Sequence, residues 1–153
     1  MSALFVQRLA ARFCVPAVHW LALLALCAAY LQGGVQKAWD FGAATAEAAH
    51  FGLAPAALVA FATIVLELGA SLMILLRLHR WLGALLLAGF TLAATFIANR
   101  FWTLPMPERF MVTNAFFEHL GLTGAFVLVA WHDLRERAGS GDWKRVDETA
   151  RPQ

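Results

Sequence analysis

One acid, Glu67, interrupts the apolar run Ala56–Leu76. At 1.5 Å per residue that run reaches across about 30 Å of hydrocarbon as a helix. An ionised carboxylate at such a depth costs at least ~2.5 kcal/mol, so it is paired, protonated or put to use. Glu67 is the first residue to ask about chemistry, as a buried proton acceptor or hydrogen-bond partner. Spacings of three and four add companions on its own helix, where Thr63, Glu67 and Ser71 share one face. In the preceding run His19, Cys27, Tyr30 and Gly34 align, and Lys37 continues the line just past the membrane. A third face carries Ala84, Ala88, Thr91, Thr95 and Asn99, and a fourth His119 and Thr123 with Glu118 beside them.

Depth sorts these residues. Lys37, Arg100, Asn114, Glu118 and His119 fall at one end of the spans, with Glu67 about half-way down. The expectation is a polar cavity open to that end, with Lys37 or Arg100 as counter-charge. A Glu67 too deep for either would be neutral. The bland alternative is that Thr, Ser and Ala stripes serve only close helix packing in lipid.

The elements that position these groups follow from composition. The 153 residues are 61% hydrophobic and 14% charged, with a mean hydropathy of +0.65. A soluble domain is nearer half apolar and a quarter charged. Four apolar segments emerge at Cys14–Val35, Ala56–Leu76, Trp81–Ala98 and Ala115–Trp131. Backbone groups in lipid must bond within a helix or a closed barrel, and barrel-type alternation is missing here. The fold class is therefore all-α: an integral membrane four-helix bundle. Gln36–Pro55 is too polar to cross, with Lys37, Asp40, Glu47 and His50. It reads as a short outer-face amphipathic helix ending near Gly52.

The expected organisation is an interfacial lead-in over 1–13, the four-span unit over 14–134 and a disordered cytoplasmic tail over 135–153. Phe101–Asn114, with Pro105 and Pro107, reads as an irregular outer loop. The first segment reads as a span rather than a cleaved leader, being too long for a signal core and lacking a small-x-small site. Arg8, Arg12, Arg77, Arg80, Arg135, Arg137, Lys144, Arg145 and Arg151 share one side of four crossings; only Lys37, Arg100 and Arg109 lie on the other. The positive-inside rule then puts both termini in the cytoplasm of a bacterial inner (plasma) membrane protein. Basic residues flanking spans form no groove for nucleic acid.

Several redox chemistries lack their residues. Cys14 and Cys27, on one helix, are about 20 Å apart, beyond bridging distance. Among the histidines only His19 and His132 could face each other for a haem, and His132 sits at the water interface. His50, Glu118 and His119 make no better metal site, and no dinucleotide fingerprint is present. No haem, flavin or metal is expected.

The order of several short motifs is more specific than any one of them. Gly34-Val-Gln-Lys37, then Trp39-Asp40-Phe41 and Gly52-Leu-Ala-Pro55, precede Glu67-Leu-Gly69 in the second span. Asn99-Arg-Phe-Trp102 closes the third, and Phe116-Phe-Glu-His-Leu-Gly-Leu-Thr-Gly124 opens the fourth. Over residues 14–134 this layout resembles the DoxX-like family of small four-span membrane proteins. The resemblance implies kinship with quinone-linked subunits of thiosulfate oxidation and with complexes that handle thiols and oxidative stress. On that footing the expectation is a membrane redox accessory that binds a quinone or docks a redox partner, as a small subunit of a thiosulfate:quinone type of oxidoreductase would. Glu67 and Tyr30 would serve the quinone oxygens as catalytic groups, with Thr63 and Thr95 beside the cofactor. Lys37, Asn99, Arg100, Glu118 and His119 would hold substrate, such as a sulfur oxyanion, at the mouth. The chain carries no electron relay of its own, so a partner redox subunit or a second copy is implied. From another class, a small-solute carrier or an assembly factor for a membrane complex fits the same residues.

Overall fold

The computed structural model describes residues 3–149. Within them the chain forms six helices: α1 Ala3–Phe13, α2 Pro16–Trp39, α3 Phe41–His50, α4 Ala56–Leu75, α5 Arg80–Ala98 and α6 Glu108–Thr149. Four regions are long and apolar enough to cross a membrane: Pro16–Trp39, Ala56–Leu75, Arg80–Thr103 and Glu108–Gly139.

Local chemistry sets the boundaries. Pro16 opens α2 and holds Val15 extended, which separates α1 from the first span. Asp40 makes the corner between α2 and α3. Its backbone N–H donates to Gln36, and its side chain accepts from Ala43 N at 2.9 Å. Gly52, at φ +71°, ends α3 in the left-handed conformation, and Leu53 N donates to Ala48 O. The tight turn into α5 places Arg77 and His79 in that same conformation. His79 supplies no side-chain cap to α5. Asp133 of α6 does so from across the bundle, accepting from Trp81 N at 3.2 Å.

α2 packs on α4, α4 on α5 and α5 on α6, while α3 folds against α4 and α2. Leu23, Cys27, Ala70, Ile74, Ala84, Leu87, Ala88, Phe126 and Ala130 fill the core. Small residues let the backbones approach closely, as association in lipid requires. At Gly83 a Cβ would sit 2.7 Å from Ala70 O, so α4 and α5 meet backbone to backbone. Leu21, Leu58, Phe61, Val65, Leu72, Leu85 and Leu128 point outward, as the lipid-facing side of a membrane bundle does.

Three sequence expectations change. The first span runs on to Trp39, bringing Lys37 inside the helix. The loop after α5 is irregular only to Pro107, with a 3-10 turn over Phe101–Thr103, because Pro107 and the first-turn acid Glu108 start α6 early. The tail from 135 is helical to Thr149. Its first turn is supported by Arg137 donating to Asp133 at 2.8 Å and by Arg135 over the Trp131 ring. Residues 150–153 of the expected tail, and 1–2 of the lead-in, lie outside the described residues.

Candidate functional site

A cavity of about 560 Å³ opens among α2, α4, α5 and α6 on the side where α3 lies. Every helix from α2 to α6 contributes to its wall. α2 supplies Tyr30, Gly33 and Lys37; α3 supplies Ala44, Glu47, Ala48 and Phe51; α4 supplies Ala60, Thr63 and Glu67. Phe90, Thr91 and Ala94 come from α5, His119 and Leu122 from α6. The expected outer-face helix is thus part of the site: Ala44 and Ala48 are buried against the bundle, with Glu47 beside them.

The central feature is an ion pair. Lys37 Nζ donates to Glu67 Oε1 at 3.1 Å and Oε2 at 3.2 Å, joining α2 to α4. Glu67 is 5% exposed, and the Lys37 side chain 23%. Burying a carboxylate is tolerable only with such a partner. Gly33, one turn before Lys37, makes room for it: a Cβ there would lie 3.4 Å from Nζ and 3.6 Å from Oε2. Of the two expected counter-charges the fold uses Lys37. Arg100 lies beyond the end of α5, exposed and off the cavity wall, because the helix stops at Ala98.

A second polar pair lies on the wall. Tyr30 Oη and Thr91 Oγ1 are 2.5 Å apart, across α2 and α5. Thr91 spends its only hydroxyl hydrogen on Leu87 O at 2.6 Å, so Tyr30 is the donor to Thr91. Edge contacts from Phe90 and Phe126 fix the Tyr30 ring.

Of the expected site residues, Tyr30, Lys37, Thr63, Glu67 and His119 meet at the cavity. Thr95, Asn99, Arg100 and Glu118 are not on its wall. Thr95 is fully buried and donates to Thr91 O at 2.7 Å, a local bond that serves packing. Asn99 caps α5 through its backbone, and Glu118 is exposed on the outer side of α6. Sequence reasoning missed Glu47 and Gly33 as wall residues and Thr91 as the partner of Tyr30. Glu47 was detectable from its place beside the alanine pair Ala44 and Ala48; Thr91 stood on the α5 stripe without a reason to prefer it to Thr95.

A protein-family model described as DoxX matches residues 19–100, more than half of the 153. The match takes in nearly all of α2 and all of α3, α4 and α5, and so contains both polar pairs. Searches of curated proteins and of solved structures return no match.

Proposed function

The chain belongs to the DoxX family, and we propose that this multi-pass membrane protein is a redox accessory that binds a quinone in the cavity between α2 and α6. The observation carrying this reading is the cavity's make-up: an apolar space of about 560 Å³ with the Lys37–Glu67 pair and the Tyr30–Thr91 pair on its wall. Ligand sites of this kind are mostly apolar, span about 300–1,000 Å³ and hold a few placed polar groups. Ala93 belongs both to the wall and to the exposed surface of a spanning helix, which gives a lipid-soluble ligand an approach at bilayer depth. Exposed Glu47 connects the wall to the α3 end, which gives protons an approach from water.

The residues divide the work by their chemistry. Lys37 donates to a ligand oxygen, while Glu67 accepts or returns a proton, and two protons accompany each two-electron quinone reduction. The electrons come from a redox partner subunit or from a substrate, with thiosulfate or thiol oxidation as the linked reaction. The basic residues Arg77, Arg80, Arg135 and Arg137 cluster where Asp133 meets Trp81. By the positive-inside rule that end faces the cytoplasm of a bacterial plasma membrane, and the α3 end faces out.

The test is to purify the protein in mild detergent, extract bound lipid and quantify quinone. Near-stoichiometric quinone is expected, falling on the order of tenfold in Glu67→Gln and unchanged in Glu118→Gln, whose side chain is off the cavity. A protein that neither retains quinone nor binds it when offered would leave the solute-carrier or assembly-factor reading in its place.

A further inference from the structure

The hydrogen bonds on the cavity wall discriminate between the redox forms of its ligand, an inference that rests on the quinone reading above. Tyr30 has already given its hydrogen to Thr91, whose own hydrogen goes to Leu87 O. Toward the cavity the Tyr30 oxygen therefore offers only lone pairs. His119 is committed in the same sense. Its Nδ1 lies 2.6 Å from Ala115 O, and a carbonyl can only accept, so Nδ1 carries the hydrogen. In the neutral ring Nε2 is then a bare acceptor. Glu67, whose two oxygens accept from Lys37, and Glu47 act as acceptors in their ionised forms. Against these stand the N–H of Lys37 left over from Glu67, and the Thr63 hydroxyl, which works either way.

Acceptors dominate the wall, and its formal charges are two carboxylates against one ammonium. An oxyanion such as thiosulfate would meet lone pairs and like charge. The oxidised quinone has two carbonyl oxygens and nothing to donate. Its reduced form carries two hydroxyls, each with a hydrogen for Tyr30, His119 or a carboxylate. We propose that the cavity is built for the quinol, and that it selects ligands whose polar groups donate hydrogen bonds.

The experiment compares decylubiquinol, kept reduced under anaerobic conditions, with decylubiquinone by calorimetric titration into the detergent-solubilised protein. An acceptor facing an acceptor is unfavourable, so the quinol is expected to bind about 5- to 150-fold more tightly. Thr91→Val is the sharpest variant. It keeps the shape of the side chain but releases the Tyr30 hydrogen to point at the ligand, and the quinol preference should collapse. Tyr30→Phe, which removes the acceptor, should lower quinol affinity and raise quinone affinity, so the preference narrows from both sides. Helix content by circular dichroism verifies that both variants fold. Equal or tighter binding of the quinone by the native protein overturns this inference while leaving the quinone site standing. A quinol preference that persists in both variants also overturns it, since Tyr30 would not be its source. Binding of neither form removes the quinone reading itself, and thiosulfate binding in their absence would favour an anion site instead.

Discussion

The two ends of this bundle solve the same packing problem in opposite ways. At the Arg80 end the helices close on one another: Ile74, Ala84, Leu87 and Phe126 are fully buried, and Gly83 brings two backbones into contact. Two polar contacts tie this end together, with Arg80 donating to Ile74 O at 3.1 Å and Asp133 capping α5. At the α3 end the helices are held apart. The Tyr30–Thr91 pair reaches across the cavity from α2 to α5, while the Lys37–Glu67 pair ties α2 to α4 on one wall. The closed end fixes the helix positions, and the open end uses that fixed frame to keep a charged, hollow site. A cavity persists only where something else prevents collapse.

The largest effect should come from breaking the open end's ion pair on one side. Lys37→Met strands the Glu67 carboxylate and is expected to cost about 3 kcal/mol, the low side of the range because Lys37 is partly exposed. Lys37→Met combined with Glu67→Leu removes both charges and should recover most of that loss. SDS-titration unfolding of the three proteins measures the difference. A single variant as stable as the native protein would mean the pair does not hold α2 to α4. Next comes the closed end, where Gly83→Ala drives a methyl against Ala70 O and should cost about 2 kcal/mol. Quinone occupancy should fall with it, since the cavity depends on the frame.

What the sequence could and could not announce follows the same division. Hydropathy alone places all four spans, because lipid demands apolar helices of a given length. Glu67 stands out for the same reason. Lys37 was one of two candidate counter-charges, and deciding for it required knowing that α2 runs on to Trp39 while α5 stops at Ala98. Helix ends are set by local capping, which hydropathy does not encode. Thr91 and Thr95 were indistinguishable by period. Only the third dimension puts Tyr30 opposite one and turns the other into the helix. Glu118 and His119 are adjacent in sequence, yet a rotation of about 100° between neighbours on a helix sends one out and the other in.

At the closed end, Asp133→Ala should cost about 1–2 kcal/mol by removing the acceptor for Trp81 N and Arg137. Asp133→Asn, which keeps an acceptor oxygen for the cap, should recover most of that. Equal losses in the two variants would assign the effect to charge rather than to capping.

The smallest effect separates the frame from ordinary helix. Gly89 lies on α5 like Gly83, but a Cβ there would meet nothing within 4 Å. Gly89→Ala should therefore raise stability by up to about 1 kcal/mol through helix propensity alone. The two alanine variants thus carry opposite signs on one helix, and the same unfolding titration reads both. Matching losses at Gly83 and Gly89 would mean that α5 as a whole resists substitution, and the tight crossing would lose its claim to hold the cavity open. Opposite signs place the rigidity of the bundle at one backbone contact below the site.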